Sequence, residues 1–392
     1  MTTARRPEDL PVLDVLPALI AALDAGSNAV LVAPPGAGKT TAVAPALLDR
    51  PWAADRRILL LSPRRLAARA AAERMAARRG EPAGRTIGYR TRLDSKIGPA
   101  TRIEVLTEGV FTNLIQRDPE LAGVAAVLFD EVHERSLEGD FGLALALDAQ
   151  GALRPDLRLV AMSATLDGAK YSRLLAGPVI EAQGRMFPVT HRYLGRTTGE
   201  RLEDAMARAI GQALREEEGS LLVFLPGAAE IERTAERLMP PAGVEVHKLY
   251  GALEGSVQRA AIEPPPPGRR KIVLATSIAE TSLTIDGVRV VIDSGVARRP
   301  RYERATGLTR LVTERASQAA VTQRAGRAGR TAPGVAWRLW TEGETRGFPP
   351  FDPPEILESD LTGLVLDLAI WGVGDPGQLS WLDPPPAAAV AE

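Results

Sequence analysis

The sequence contains no cysteine, which excludes disulfide bridges and thiolate metal sites. Its three histidines, His133, His191 and His247, are too few and too widely spaced to indicate a metal cluster. This composition fits a reducing compartment, and we expect a cytoplasmic protein. No apolar stretch reaches the roughly 18 residues of a membrane span, so we expect no membrane partner.

Several other features are scarce. The stretch MTTARRPEDL lacks the apolar core of a secretory signal. A net charge of -1 provides no global positive field that would point to nucleic acid, and aromatic residues at 4% leave no evident base-reading surface. Lysine is rare among the 48 basic residues, most of which are arginine. A lysine at a functional position is therefore less easily explained by chance.

Short apolar runs alternate with helical patterns along most of the chain, which predicts α/β domains with parallel sheets. The alternation lapses near residues 177–189, where glycine and proline gather. We therefore predict one α/β domain over residues 1–180, a second over 181–350 and a partial segment over 351–392. The apolar runs that predict strands are residues 29–33, 57–62, 102–107, 125–130 and 157–163 in the first domain, and 220–226, 244–249, 271–276 and 288–294 in the second.

The stretch APPGAGKTT, residues 33–41, follows the first predicted strand and opens a helix. It matches a phosphate-binding loop except that Ala33 replaces the first glycine. Lys39 would reach the β- and γ-phosphates, and the Thr40 hydroxyl would bind Mg²⁺. The backbone amides that would bind phosphate belong to Gly36, Ala37, Gly38, Lys39, Thr40 and Thr41.

The stretch LFDEVHERS, residues 128–136, places two carboxylates at the end of a predicted strand. Asp130 is suited to hold Mg²⁺, and Glu131 to orient or deprotonate the attacking water and to contribute to the metal site. An acidic strand end facing solvent is common on its own. Its position after a phosphate loop, with the intervening strands in place, favours nucleotide hydrolysis.

Taken in order, these and further motifs resemble those of the DEAH/RHA group of superfamily 2 helicases. The resemblance covers roughly residues 12–350 and implies two tandem RecA-like domains followed by the start of a winged-helix-like segment. It also implies ATP as cofactor, with Mg²⁺, and single-stranded nucleic acid, expected to be RNA, as partner. The motifs that carry it are SPRRLAARAAAERMA (62–76), LTEGV (106–110), MSATLD (162–167), LVFLPGAAEIE (222–232), TSIAETSLTIDGV (276–288) and QRAGRAGR (323–330).

The resemblance assigns roles to residues of the last motif. Arg327 and Arg330 would act as arginine fingers on the γ-phosphate, which in this family lies between the two lobes, and Gln323 would position the water. The glycines at 326 and 329 suggest that another surface approaches closely here. Ser163 and Thr165 would couple the lobes, with His133 in the same relay.

The resemblance also assigns further binding residues. Arg74 and Asp286 would contact the nucleotide, but Ile262 stands where the family often has an aromatic against the base, so other NTPs remain open. A basic hairpin is expected over 297–316, with its turn at Gly307. The residues expected to contact nucleic acid are Arg64, Arg65, Arg90, Thr107 and Thr276.

Two alternatives to a helicase stay open at this point. One is an ATP-gated clamp or remodelling scaffold that hydrolyses ATP without separating strands. The other is a P-loop kinase or small-molecule transferase, in which the last two motifs would have no role. We expect a monomer; protein partners are not indicated by the sequence.

Overall fold

A computed structural model describes residues 10–164, 168–184, 187–197, 199–280 and 285–391. The chain divides into two compact units. The first contains the described residues up to Gly184 together with residues 353–391, which we call the return segment, and the second contains residues 187–352. The region predicted over 351–392 thus packs largely within the first unit.

The first unit is built on an eight-stranded sheet. Its strands are β1 (Ala29–Val32), β2 (Arg57–Ser62), β3 (Ile87–Arg90), β4 (Ser95–Lys96), β5 (Ile103–Thr107), β6 (Val124–Phe129), β7 (Arg158–Ser163) and β8 (Val179–Glu181). They lie in the order β4-β3-β5-β2-β6-β7-β1-β8, and all neighbours are parallel except β3 and β4. The central strands are apolar and buried because helices cover both faces.

Among the described residues up to Gly184, the α-helices on this sheet are α1 (Leu16–Asp24), α2 (Lys39–Leu47), α3 (Arg65–Arg78), α4 (Glu108–Arg117), α5 (Leu137–Ala152) and α6 (Gly168–Leu175). Helices α1 to α3 contribute to one apolar cluster, and α4 to α6 to another. Ser136 precedes helix α5 as its N-cap, and its hydroxyl accepts a hydrogen bond from the Gly139 amide in the first turn.

The second unit has a six-stranded parallel sheet and a separate hairpin. The strands are β9 (Val189–Tyr193), β10 (Ser220–Phe224), β11 (Val244–Leu249), β12 (Arg270–Ala275), β13 (Val288–Asp293), β14 (Val296–Glu303), β15 (Leu308–Arg315) and β16 (Gly334–Arg338). The sheet order is β11-β12-β10-β13-β16-β9, while β14 and β15 pair antiparallel as the hairpin expected around Gly307. The helices are α7 (Leu202–Glu216), α8 (Ala228–Arg237), α9 (Gly255–Ile262) and α10 (Gln318–Gly326).

The return segment folds onto the α4–α5 side of the first unit. It contains α11 (Thr362–Trp371) and α12 (Ala387–Val390), and its buried leucines join the same apolar cluster as Phe141. The ring of Trp381 stacks on that of Phe141, with centroids 6.0 Å apart. Residues 353–391 show helices and turns but no strand, so the start of a winged helix stays a prediction.

No helix within the described ranges is long and apolar enough to cross a bilayer.

Candidate nucleotide-hydrolysis site

Most of the candidate residues of the first unit lie at one edge of its sheet. The phosphate loop follows β1, Asp130 follows β6, and Ser163 ends β7. Arg64 follows β2 and Thr107 ends β5. Ligands of open α/β sheets bind at this carboxyl edge, so the edge is where a nucleotide site is expected.

The phosphate loop takes its shape from prolines and glycines. The Ala37 amide donates to the Pro34 carbonyl at 3.1 Å, and Gly36 has φ 81°. Pro35 and Gly36 therefore occupy the two central positions of a turn in the order favoured by type II turns. Gly38 has φ 94°, and a Cβ there would approach Leu10 Cδ1 to 2.8 Å. After Ala33, the two prolines and Gly36 thus shape the loop by a turn that sequence reasoning did not anticipate.

The loop brings the lysine and the hydroxyl to the start of α2. The Lys39 ammonium is buried and donates to the Ala33 carbonyl at 2.6 Å, which holds it over the loop. The first amides of α2 have no acceptor within the helix and form a site for negative charge. Thr40 Oγ1 donates to Asp130 Oδ2 at 2.5 Å, so the phosphate loop and the acidic strand end meet. The Thr41 amide donates to the Gly38 carbonyl, and its phosphate contact stays a prediction.

Asp130 is a buried carboxylate whose surroundings suit a cation. Burial, together with the charge of Glu131, raises the pKa of Asp130 to about 7, against the lowering effect of Lys39. A divalent cation bound to this carboxylate would favour its ionised form. Within the described ranges no three His, Cys, Asp or Glu side chains form a ready-made metal site. The donor set therefore fits Mg²⁺ that also takes oxygen ligands from phosphate and water.

Glu131 begins an irregular loop in a left-handed conformation. Its φ is 53°, and Arg135, four residues later, has φ 52°, with a 3₁₀ turn over Val132–Glu134 between them. Such conformations are costly for residues with a side chain and persist where neighbouring contacts hold them. We call residues 130–136 the motif II loop. The Tyr171 hydroxyl is one such contact, because it donates to the Val132 carbonyl at 2.7 Å.

His133 connects this loop with the end of β7. The Ala164 amide donates to His133 Nδ1 at 3.3 Å, and the same nitrogen lies 3.6 Å from Glu131 Oε2. This contact links the motif II loop to the residue that follows β7. Ser163 is fully buried next to this contact, while Thr165 lies outside the described residues.

An arginine that sequence reasoning missed also contacts the phosphate-loop helix. Arg78 donates to Thr41 Oγ1 at 3.2 Å, and burial, with the charge of Arg74, lowers the pKa of Arg78. Arg74 and Arg78 lie one turn apart on α3, so the candidate Arg74 has a neighbour of like charge. The four-residue spacing between Arg74 and Arg78 was the signal in the sequence that could have identified Arg78.

Two of the predicted nucleic-acid contacts are engaged by carboxylates. Arg64 forms an ion pair of 3.1 Å with Glu134 of the motif II loop. Arg90 Nε donates to Glu104 Oε1 at 2.6 Å. Arg65 is exposed at the first turn of α3, and Thr107 is half-buried at the start of α4.

A half-buried glutamate next to Thr107 also contacts the motif II loop. Ser136 Oγ donates to Glu108 Oε2 at 2.6 Å, and burial raises the pKa of Glu108 to about 8. Glu108 and Asp130 line one small cavity, together with Tyr171. Glu108 stands in LTEGV, but its pairing with Ser136, 28 residues away, could not be read from the sequence.

In the second unit, the arginines of QRAGRAGR have distinct surroundings. Arg324 is buried between Glu280 and Asp293, donating to their carboxylates at 2.7 and 2.8 Å. Arg327 is also buried, and its Nε donates to the Glu280 carbonyl at 3.0 Å. The side chain and the carbonyl of Glu280 therefore fix two arginines of one motif.

The other candidates of this unit are more accessible. Gln323 and Arg330 are half-buried at α10 and just after it, Thr276 is half-buried after β12, and Asp286 is exposed before β13. For Gly329, the close surface is the chain itself: a Cβ would lie 2.6 Å from the Phe187 carbonyl oxygen. Protein packing therefore accounts for this glycine.

Two families match the chain: DEAD/DEAH box helicase over residues 15–174, and helicase conserved C-terminal domain over residues 202–332. The ATP-dependent RNA helicase HrpB of Escherichia coli strain K12 is 52% identical over 380 residues, covering 96% of this chain and 47% of that protein. The pre-mRNA-splicing factor ATP-dependent RNA helicase prp22 of Schizosaccharomyces pombe is 35% identical over 393 residues, covering 97% of this chain and 33% of that protein.

Among solved structures, the crystal structure of Escherichia coli DEAH/RHA helicase HrpB matches with a TM-score of 0.93 and 51% identity. The match covers 98% of this chain and 50% of that one. The chain thus spans about half the length of HrpB and a third of prp22. The two RecA-like domains expected from the sequence are confirmed. The chain belongs to the DEAH/RHA group of superfamily 2 helicases and carries both of its helicase domains.

Proposed function

We propose that this chain hydrolyses ATP with Mg²⁺ and couples the reaction to movement on single-stranded nucleic acid, with RNA as the physiological class. The observation that carries the proposal is the 2.5 Å contact between Thr40 Oγ1 and Asp130 Oδ2 at the start of α2. It unites a phosphate loop with an acidic strand end, which is the arrangement that NTP hydrolysis requires. The similar proteins HrpB and prp22 are named as RNA helicases, which supports RNA as the nucleic acid.

The first unit would bind the triphosphate and activate water. The first amides of α2 and the Lys39 ammonium would hold the phosphate oxygens, because a helix start and a buried cation both favour negative charge. Thr40 and Asp130 would hold Mg²⁺, with Glu131 close to it, and the ion would offset charge on the phosphates. Glu131 would orient the attacking water and accept its proton.

The second unit would supply positive charge for the transition state. In the family, the nucleotide lies between the two lobes, and we propose the same use of Arg327 and Arg330, with Gln323 placing the water. The buried hydrogen bond from Arg327 to the Glu280 carbonyl supports this role, since it limits the positions that the guanidinium can take. Arg74 and Asp286 stay assigned to the nucleotide, and Ser163 and Thr165 to coupling.

Nucleic acid would lie along the carboxyl edges of the sheets. Arginines, hydroxyls and backbone amides suit phosphate contacts, which carry no sequence information. Binding would therefore be tolerant of sequence and sensitive to salt. The residues proposed for it are Arg64, Arg65, Arg90, Thr107 and Thr276.

Because the chain spans about half the length of HrpB, a second candidate is an ATP-gated clamp that hydrolyses ATP without separating strands. The test measures ATP hydrolysis alone, with single-stranded RNA and with single-stranded DNA, beside an unwinding assay on a tailed duplex. We expect hydrolysis that RNA stimulates. The variant Lys39→Ala should hydrolyse no ATP, which excludes a contaminating ATPase, and Lys96→Ala is the matched control.

The outcomes separate the candidates. Released strands support the helicase, whereas stimulated hydrolysis without released strands supports the clamp. Hydrolysis indifferent to both nucleic acids would contradict both. A cytoplasmic location and a monomeric state stay predictions, and sedimentation of the purified chain tests the second.

A further inference from the structure

The return segment contacts the motif II loop at its far end, where the loop joins α5. The Glu355 amide donates to the Arg135 carbonyl at 3.1 Å, and Glu355 Oε2 accepts from the Leu137 amide at 2.9 Å. Glu355 therefore binds the backbone on both sides of Ser136. Its carboxylate also stands at the first turn of α5, where the helix dipole favours negative charge.

A second contact fixes the side chain of Arg135. Its guanidinium lies between Asp140 of α5, at 2.9 Å, and Asp383 of the return segment, at 2.7 Å. The arginine side chain is largely buried, with 13% of its surface exposed. Although burial lowers the pKa of Arg135, its hydrogen bonds and charge interaction with Asp140, together with Asp383, raise it overall. The arginine is thus held as a cation between two elements distant in sequence.

These contacts act where the backbone needs support. Arg135 has φ 52°, a left-handed conformation that is costly for a residue with a side chain. Glu131, at the other end of the 3₁₀ turn, has the same conformation. If Arg135 relaxed, the turn would lose one of its fixed ends, and the carboxylate of Glu131 would move with it.

The return segment is well anchored for this purpose. Trp371 Nε1 donates to Asp148 Oδ2 at 2.8 Å, and Gln116 Nε2 donates to Asp367 Oδ1 at 3.2 Å. With Trp381 stacked on Phe141, the segment is fixed to both α4 and α5. Asp383 and Glu355 therefore extend from a rigid support.

We propose that Asp383 and Glu355 of the return segment are positioning residues for ATP hydrolysis, acting through Arg135 to set the conformation of the motif II loop and hence the placement of Glu131. The proposal rests on the proposed function. It gives residues 353–391 a role in the chemistry of the first unit. Because the phosphates are held by the loop at residues 36–41, a disturbed motif II loop should affect kcat more than KM for ATP.

The experiment compares the full chain with Asp383→Asn, Asp383→Glu, Arg135→Gln and the double variant Asp383→Asn/Arg135→Gln. Asp375→Asn is the matched control, because this exposed aspartate caps its own turn through the Gly377 amide. We expect Asp383→Asn to lower kcat about three- to tenfold, equivalent to a modest change in barrier. KM for ATP should stay within about twofold, and Asp383→Glu should recover part of the rate. The double variant should match Arg135→Gln, since the two residues act as one pair.

Hydrogen exchange of the amides at 131–137 provides a second measurement that needs no turnover. Exchange should be faster in Asp383→Asn than in Asp375→Asn. A kcat equal to that of the control, independent effects of Asp383 and Arg135, or unchanged exchange would each overturn the proposal. If the unaltered chain hydrolyses no ATP, the proposed function fails, and exchange still tests the link between Asp383 and the loop.

Discussion

The carboxyl edges of the two sheets carry opposite charges that are balanced in different ways. In the first unit, burial raises the pKa of Asp130, with Glu131 adding to the effect and Lys39 opposing it. In the second unit, burial lowers the pKa of Arg324, but Asp293 and Glu280 more than offset this and raise it. At the first edge the ionised carboxylate is disfavoured unless a cation binds to it, whereas the second edge holds an arginine already matched by carboxylates.

This difference separates two uses of buried charge. Asp130 is suited to binding a cation, because a metal ion would supply positive charge beyond that of Lys39. Arg324 is suited to support, because its partners hold α10 against the end of β13 and place Arg327 next to Glu280. Charges of the first kind should affect hydrolysis when changed, and those of the second kind should affect folding first.

The largest expected effect belongs to Arg327. Arg327→Ala should lower kcat by about 10³–10⁵ while ATP binding persists, because an arginine finger acts on the transition state. Steady-state hydrolysis and equilibrium binding of a fluorescent ATP analogue measure the two quantities. Arg215→Ala, an exposed arginine of α7, is the control. An unaltered rate would remove the finger role.

Glu131→Gln should have the next largest effect. Loss of the general base should lower kcat by about 10²–10⁴. Binding of ATP should persist, since the lysine and the amides of the phosphate loop are unchanged. The same two assays apply, with the exposed Glu120→Gln as the matched control. Near-normal hydrolysis would show that another group activates the water.

Arg324→Met should act on stability. Removing the guanidinium leaves Glu280 and Asp293 buried without it, which should cost about 3–5 kcal/mol of unfolding free energy in the second unit. Hydrogen exchange of the β13 amides reports on this unit alone, which matters because a chain of two units need not unfold in one step. The control is Arg289→Met. Arg289 lies on β13 itself, but 40% of its side chain is exposed, so this variant should change the exchange of the β13 amides little. Equal exchange in the two variants would contradict a supporting role for Arg324.

The smallest expected effect concerns the ion pair of Arg64 with Glu134. Arg64→Gln should weaken RNA binding and reduce the slope of log K against log salt by about one. Glu134→Gln should strengthen RNA binding by about two- to fivefold, because a half-buried ion pair contributes up to about 1 kcal/mol and would no longer compete with phosphate. Titration of labelled RNA at several salt concentrations measures both. Weaker binding by Glu134→Gln would rule out this competition.

Much of the fold could be predicted because buried parallel strands are apolar runs. Residues 57–62 and 244–249 form strands with the bounds that the sequence predicts. Strand β9, at one edge of the second sheet, was missed for a physical reason. β9 carries exposed, polar side chains, so its pairing with β16 leaves little apolar signal.

The site could be predicted only in part. Motif spacing is local, so Lys39, Thr40 and Asp130 were identifiable, and the structure places Thr40 against Asp130. The partners that hold the motif II loop come from distant positions, such as Asp383 for Arg135. A half-buried aspartate outside any helix or strand carries no sign of its partner in the local sequence, so sequence reasoning could not find this pair.

The first unit is assembled from two stretches of chain that are separated by the whole second unit. During synthesis, the apolar surface around Phe141 therefore stays uncovered until residues more than 200 positions later have been synthesised. A ribosome-bound chain would pass through a stage in which this surface is open to solvent and prone to association. A protein that ended at residue 180 would keep this surface exposed permanently. The first unit therefore cannot be expressed as one continuous N-terminal piece with its apolar surface covered.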